Sequence, residues 1–510
     1  MTAPSAAGAG PAAPGAGGSG AGKGTGAAKG SGAAAPKFAV AARAALADTR
    51  LRRNVRGATA ALRDRRAAAA REAADWETAD WEELREAGRA VRDAALLGLD
   101  AHLERLERSV TEAGGVVHWA ADAAEARRIV VDLVRAEGAS EVVKASSATV
   151  REIGLDHALA RAGVTARETA VGDLVVQLGG DEPSHPLSAA IHRDRAQVGE
   201  LFRREIAAPG SDLPDEPAAL AAAARDHLRE VFLRARVAVT GANFLVAETG
   251  TAVVLESEGN ARMCLTLPET LITVAGIDKV VPAWEDLEVL LQLVPRAASG
   301  DRMTPSVSSW TGVTPGDGPR AFHLVLLDNG RTAALADEVG RAALRCVRCS
   351  ACVNVCPVYE RTGGRPYGPV LPGPIGAILT PQLRGVESAA DASLPYASTL
   401  CGACADVCPV KIDIPEVLVH LRGKVVESRR ARPVPTPELV LMRGLAWTMG
   451  DPRRHETALR RGTRWARLLS RGGRIRRLPG LLGKWTEARD LPAPPAESFR
   501  AWWTRTRGRP

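Results

Sequence analysis

No stretch of this 510-residue chain approaches the roughly 18 uninterrupted apolar residues that a bilayer-crossing helix needs. A transmembrane span is excluded; attachment to a membrane surface is not. Cysteine is scarce, eight in all, which is too few for a secreted scaffold knitted by disulfides. Residues Met1 to Ala35 hold no apolar segment of the kind an export signal requires, so the expected compartment is a reducing cytoplasm. Nothing recurs at the period of a solenoid, and no Gly-x-Gly-x-x-Gly sits between a strand and a helix to mark a flavin or nicotinamide site. What is present, 45 % hydrophobic and 25 % charged residues, suffices for two or three buried cores and excludes disorder and collagen.

Neither charge nor cysteine is spread evenly. Residues 421–510 hold 22 Lys and Arg against 7 Asp and Glu, whereas residues 1–420 hold 45 against 52. The formal charge of +8 therefore conceals an acidic body and a strongly basic end. Cys264 stands alone, and the other seven cysteines fall between Cys346 and Cys408.

Five segments follow from composition and periodicity. Residues 1–36 are a Gly/Ala-rich tail that cannot bury enough surface to order itself. Within it, Gly17-Gly-Ser-Gly-Ala-Gly-Lys-Gly-Thr25 imitates a phosphate loop but lacks the flanking strand and helix such a loop needs. Residues 37–112 are Ala/Arg/Glu-rich and helical, with Leu96, Leu97, Leu99, Leu103 and Leu106 expected on one stripe. A short echo, Asp75-Trp-Glu77 and Asp80-Trp-Glu82, fits capping and surface packing.

Residues 113–335 alternate strand and helix, which predicts an α/β domain with a mostly parallel sheet. Expected strands are 115–119, 141–144, 174–178, 237–240, 245–248, 251–256, 271–275 and 322–327; expected helices are 123–136, 217–235 and 284–293. Thr249-Gly250 is the expected turn of a hairpin between the fifth and sixth strands. Residues 336–430 form a cysteine-bearing module and 431–510 a basic Arg/Trp-rich extension.

The cysteine block carries the chemistry. Cys346-Val-Arg-Cys349-Ser-Ala-Cys352-Val-Asn-Val-Cys356-Pro357 has the spacing by which bacterial ferredoxins hold iron–sulfur cubes, its fourth cysteine reaching a different cluster. Structural zinc sites use paired knuckles and have no use for a tight run of four. The second run is Cys401-Gly-Ala-Cys404-Ala-Asp-Val-Cys408-Pro409, and Val407 stands where a third close cysteine is expected. Reciprocal exchange gives Cys346, Cys349, Cys352 and Cys408 to cluster one, and Cys356, Cys401 and Cys404 to cluster two. The open position of cluster two is left to a non-cysteine side chain, a partner's thiolate, solvent, substrate, a three-iron cluster or Cys264. In Met263-Cys264-Leu265 the last reads instead as a small buried apolar residue. The 44 residues between the runs, Gly/Pro-rich over 367–376 with a short helical turn expected at Ile375–Thr380, exceed a compact ferredoxin and fit an α-helical electron-relay module.

These motifs, with Asp328-Asn-Gly-Arg-Thr332, Gly373-Pro-Ile-Gly376 and Asp80-Trp-Glu-Glu-Leu-Arg-Glu-Ala-Gly88, closely resemble the lactate utilization protein B family from about Asn54 onward. The resemblance implies that the α/β part is a LUD domain, similar to the sugar-phosphate isomerase and CoA-transferase superfold, followed by an α-helical ferredoxin-type module with two [4Fe-4S] clusters. It makes the seven-cysteine set a family feature. It further implies a subunit of a three-component system that oxidises L-lactate to pyruvate, with two partners: a cysteine-rich iron–sulfur protein and a second LUD protein.

Hydride removal from a 2-hydroxy acid is the work of organic cofactors, whereas cubes move single electrons, so this chain is expected to relay electrons. An exchangeable iron in cluster two acting as a Lewis acid on lactate is a sharper variant. Elsewhere, Lys144-Ala-Ser-Ser147 at a strand end is read either as an anion site or as a helix cap. Glu248, Glu256 and Glu258 lie near turns, where solvation is a plainer reading than base chemistry by paired acids; His185 and His192, seven residues apart, could share a metal only if Pro186 starts a helix.

The Arg/Trp-rich end suits docking to an acidic partner or, equally, a solvated basic helical extension, and after these contact with a membrane edge bearing a quinone-linked acceptor, which would place a cytoplasmic protein peripherally at the inner face. No nucleic acid is expected. Two rival functions are an iron–sulfur redox-sensing regulator that binds nucleic acid, and an α/β enzyme of the isomerase or CoA-transferase type with an accessory redox module.

Overall fold

The computed structural model describes residues 35–75 and 81–507, apart from Pro209, Ser211, Pro305, Pro369 and Ala488. The phosphate-loop lookalike and most of the Gly/Ala-rich tail lie outside these residues, as does part of the Asp75–Glu82 echo.

Four helices come first: α1 (Phe38–Ala47), α2 (Thr49–Asp75), α3 (Trp81–Leu97) and α4 (Leu99–Glu112). Ten strands follow in the α/β region: β1 (Val116–Ala120), β2 (Glu141–Lys144), β3 (Thr165–Glu168), β4 (Val237–Thr240), β5 (Phe244–Val246), β6 (Thr251–Glu256), β7 (Thr270–Gly276), β8 (Val280–Val281), β9 (Ser306–Trp310) and β10 (Ala321–Leu327). Six make one sheet in the order β1-β10-β7-β4-β2-β3, every pair parallel. The fold is the α/β class that the alternation implies.

The central strands β4 and β7 are buried at every residue, as a parallel sheet covered on both faces requires. Successive side chains of β7 serve opposite faces. Ile272 and Val274 pack with Ala126, Val130 and Val134 of helix Ala123–Ala136, while Leu271 and Ala275 pack with Leu103 and Leu106 of α4 and with Leu228 of helix Pro217–Arg234.

One expected strand is corrected. Residues 174–178 belong to a helix, Val171–Leu178; a short apolar run fits a buried helix as well as a buried strand. The strand of that neighbourhood is β3, Thr-Ala-Arg-Glu, an edge paired only to β2, and it escapes notice because an edge needs no apolar run. The expected short turn at Ile375–Thr380 is likewise longer, a helix Gly373–Arg384 with Pro374 in its first turn, where a missing N–H costs nothing.

The hairpin of β5 and β6 forms, antiparallel, with Gly250 at φ +71° and its N–H donating to the Val246 carbonyl at 3.0 Å. It lies in a second sheet, β8-β5-β6-β9. Phe244, Val246, Val253 and Leu290 on this side share one apolar core with Val347, Tyr359, Ile378 and Leu418 of the cysteine module. The two parts are thus packed together.

A buried ion network fastens that packing. Asp278, just past β7, is 2 % exposed; it accepts from Arg331 Nε at 2.5 Å and pairs with Lys279 Nζ at 2.8 Å. Arg331 makes a two-pronged contact with Glu152 at 2.9 Å on both oxygens, the fork geometry that suits guanidinium and carboxylate. Lys279 Nζ also donates to the Cys346 carbonyl at 2.9 Å, and Arg92 of α3 donates to the carbonyls of Val280 at 3.0 Å, Leu344 at 3.2 Å and Asp278.

The Asp328-Asn-Gly-Arg-Thr332 motif now has a structural meaning. Its turn takes Asn329 and Gly330 through positive φ, and a Cβ at Gly330 would collide with the Leu383 carbonyl. Asn329 Nδ2 bonds Glu152 at 2.8 Å, so the motif delivers Arg331 to two buried acids at once.

Burial alone would raise the Asp278 and Glu152 carboxyls, but Lys279 and Arg331 at the former and Arg331 at the latter outweigh it and hold both below the usual range. With folded-state pKa depressed, their contribution is complete above the unfolded carboxylate range of about 4 and drains away as pH falls below it. Arg331→Met, which strands Glu152 and leaves Asp278 to Lys279 alone, is expected to cost about 3–5 kcal/mol in urea unfolding at neutral pH. The loss should shrink in acid; an equal loss at all pH values would refute the electrostatic account.

Candidate iron–sulfur site

The two cysteine loops share one backbone plan. In the first, Arg348 (φ +61°) and Ser350 (φ +64°) precede the one-turn helix Ala351–Asn354; in the second, Leu400 (φ +55°) and Gly402 (φ +85°) precede Ala403–Asp406. Left-handed conformation costs a non-glycine residue roughly 1–2 kcal/mol, so three such residues in matched places mark an imposed geometry. Superposing the plan pairs Cys349 with Cys401, Cys352 with Cys404 and Cys356 with Cys408.

It also pairs Val355 with Val407, which corrects the expectation that Val407 replaces a cysteine. The unmatched residue is Cys346, and its counterpart is Ser398. Cys346 Sγ accepts from the Arg348 N–H at 3.4 Å, and Ser398 Oγ accepts from the Leu400 N–H at 3.1 Å.

Cys349, Cys356, Cys404 and Cys408 are buried, and Cys401 is exposed. Cys346, Cys349, Cys352 and Cys408 line a single cavity of about 460 Å³. Burial, then Cys408, pushes the Cys349 thiol up to about 12. Burial, then Cys356, does the same at Cys404. Crowded buried thiolates repel one another and call for cationic iron among them, and soft sulfur donors suit an iron–sulfur cluster. Among the described residues no three His, Cys, Asp or Glu side chains converge on one point as ligands of a single ion do; a cube instead spreads its thiolates around its corners. At Cys401 the Ala403 N–H and the Thr399 hydroxyl lower the thiol below its ordinary value.

The far end of the cavity touches the sheet. The chain leaves β2 towards β3 on one side and passes from β4 towards β7 on the other, so the loops after β2 and β4 part and open a crevice at the strands' carboxyl ends, where open α/β sheets bind ligands. Ser147 after β2 and Gly241 after β4 line it, packed so closely that a Cβ at Gly241 would collide with the Ser147 side chain.

Several groups that sequence reasoning did not single out brace the loops. Arg66 of α2 donates to the Val407 carbonyl at 2.5 Å, and Arg85 of α3 donates to the carbonyls of Cys408 at 3.0 Å and Ala405 at 3.3 Å. Arg348 has Nε and Nη1 buried without partners on the cavity wall. Tyr367 buries its hydroxyl with no well-formed protein hydrogen bond beside Cys356; burial first, then that thiolate, push it well above the phenol range. No local pattern in the sequence marks these roles, because the contacts join segments far apart in the chain.

The remaining sequence candidates do other work. Lys144 is buried between Asp156 and Glu168, the latter at 2.7 Å, so its charge is already answered within the fold. Ser147 caps helix Ala148–Glu152, accepting from the Val150 N–H at 3.2 Å. Glu256 accepts from the N–H groups of Ala261 and Arg262, Glu258 from that of Val171, and Glu248 pairs with Arg105 at 3.4 Å. His185 uses Nε2 on Asn354 and Nδ1 on two backbone N–H groups, and burial lowers it to about 4; His192 faces Asp181 at 3.1 Å. Cys264 is fully buried in the core beneath the sheet, its thiol raised by burial to about 12.

If the Tyr367 hydroxyl donates to the Cys356 thiolate, removing it destabilises the reduced, more negative cluster. Tyr367→Phe should keep the iron content and lower one reduction potential by roughly 40 mV, the equivalent of about 1 kcal/mol for one electron. EPR-monitored redox titration checks this; an unmoved potential rejects the contact.

Residues 103–326 match the LUD domain family, 342–412 a 4Fe-4S dicluster domain and 421–508 the lactate utilisation protein B C-terminal family. The chain is 40 % identical over 457 residues to lactate utilization protein B of Oceanobacillus iheyensis, covering 89 % of this chain and 93 % of that one. It is 38 % identical to lactate utilization protein B 1 of Bacillus mycoides, covering 90 % and 94 %. A protein of Escherichia coli described as an uncharacterized electron transport protein is 39 % identical, covering 83 % and 88 %. The crystal structure of a DUF162 family protein from Deinococcus radiodurans shares 14 % identity, covering 45 % of this chain and 98 % of that one at a TM-score of only 0.26. With a dicluster domain seated on the seven cysteines and relatives matched nearly end to end, the chain belongs to the lactate utilization protein B family.

Proposed function

We propose that this chain is the electron-transfer subunit of a system that oxidises L-lactate to pyruvate, holding two [4Fe-4S] clusters. Cluster one takes Cys346, Cys349, Cys352 and Cys408, and cluster two takes Cys356, Cys401 and Cys404. The observation that carries the reading is the contrast between the two sites: four cysteines line an internal cavity that opens on the sheet crevice, while the other set ends at exposed Cys401. Bound clusters would supply one-electron carriage between a buried end and a surface end. The protein's own groups exclude water and fix the loops, through Arg66, Arg85 and Lys279 on their carbonyls.

The partners in this reading are a cysteine-rich iron–sulfur protein and a second LUD protein. Helices Pro437–Met449, Pro452–Leu468 and Phe499–Arg507 bury no residue, and Trp447, Trp465 and Trp503 stand exposed. Apolar rings among arginines suit an acidic partner face. No helix among the described residues is long and apolar enough to cross a membrane, so contact with a quinone-linked acceptor would be made peripherally at the inner face of the membrane. The crevice against the sheet favours a second reading, a ligand-binding α/β domain that keeps the redox module as an accessory.

The deciding experiment is EPR on anaerobically purified full-length protein. Dithionite should reduce the clusters alone, and L-lactate should reduce them only when both partner proteins are present. Clusters that stay oxidised in the complete mixture would reject the proposal, and ligand binding without any cluster reduction would favour the accessory reading.

A further inference from the structure

We propose that Ser398 supplies the fourth iron ligand of cluster two through Oγ, so that this site is held by three thiolates and one serine oxygen. The inference rests on the two-cluster reading above.

Four observations place Ser398 where Cys346 stands in the other loop. Each residue lies two positions before a left-handed residue, Leu400 or Arg348. Each side chain accepts from that residue's backbone N–H. Each is followed at the same spacing by a left-handed residue, Ser350 or Gly402, and a one-turn helix carrying the second cysteine along, Cys352 or Cys404. Each has its own carbonyl held by a cation, Cys346 by Lys279 Nζ at 2.9 Å and Ser398 by Arg422 Nη2 at 3.4 Å. Arg422 further fixes the approach to the loop, donating from Nε to the Pro395 carbonyl at 2.9 Å and lying over the Tyr396 ring.

The loop therefore keeps the geometry of a four-ligand run with oxygen in place of sulfur at one corner. Two other hydroxyls lie near this site, and neither occupies the position of Cys346: Tyr367, beside Cys356, comes from outside the repeated plan, and Thr399, beside Cys401, matches Val347 of the first loop.

Ligation exchanges a proton for iron: the Oγ–H bond breaks, an Oγ–Fe bond forms, and the proton leaves to solvent past Thr399 and Leu400, both exposed. No electron moves. Oxygen is the harder donor and favours the ferric state, so cluster two should sit at a lower potential than its all-thiolate neighbour and surrender its oxygen-bound iron first.

The test uses anaerobically prepared full-length protein carrying its clusters, with iron analysis, Mössbauer spectroscopy, and EPR after mild oxidation. The wild type should bind about eight irons per chain, as two cubes require, with one distinct oxygen-ligated subsite. Ser398→Cys should keep the iron content and convert that subsite to a sulfur-ligated one. Ser398→Ala should lose the subsite and yield a three-iron signal under oxidation that leaves the wild type intact, with cluster one unchanged as an internal control. Tyr367→Phe should leave the subsite in place. Spectra of Ser398→Ala that match the wild type, or loss of the subsite in Tyr367→Phe, would overturn the assignment while sparing the two-cluster reading. About four irons per chain in the wild type would instead reject that reading itself.

Discussion

Asp278 sits beyond the carboxyl end of a central strand, sealed from water, and its charge has to be answered within the fold. Arg331 and Lys279 answer it, and each is committed to a second task. Arg331 neutralises Glu152, and Lys279 holds the carbonyl of Cys346. An interior ion pair earns little stability for its own sake; here it sets the register between the sheet and the cysteine loops. Arg92 adds a third element by binding carbonyls of both β8 and the segment before Cys346. The position of the first cysteine is thus fixed from the sheet, from α3 and from the turn that carries Arg331.

The loops show how a repeated local plan acquires different ends. Both use left-handed residues to turn the chain, and both close with cysteine followed by proline. The first faces inward onto a cavity bounded by the sheet crevice, and the second leaves Cys401 at the surface. That asymmetry comes from packing: Lys279 and Arg92 hold the entry to the first loop, whereas Arg66 and Arg85 brace only the Ala405–Cys408 end of the second and leave Cys401 outside.

Much of this was legible in the sequence because it is written in local patterns. The buried strands β4, β7 and β10 announce themselves as apolar runs, and the helices on either side by their spacing. Cysteine positions are legible because ligand spacing is a chain-length constraint. Two kinds of feature were not. Edge strand β3 carries Thr, Ala, Arg and Glu, with no apolar run to betray it, and Leu174–Leu178 has the same composition as a strand though its helix satisfies its own backbone. Counted forward from Cys401, the substituted position falls on Val407; counted backward from the shared cysteine–proline, it falls on Ser398, outside the run altogether. Arg66 and Arg85, which bind carbonyls of the second loop, have no local signature, since their partners are more than 300 residues away.

That last separation bears on how the protein is made. Arg66 and Arg85 leave the ribosome early, and the carbonyls they bind, at Val407 and Cys408, are synthesised 341 and 323 residues later. Until then Arg66 and Arg85 lack these partners, and the early cysteine loop, already held by Lys279 and Arg92, lacks Cys408, which lines the same cavity. Iron therefore has no finished pocket to enter while the chain is growing, and metal insertion becomes a step taken by the nearly complete polypeptide.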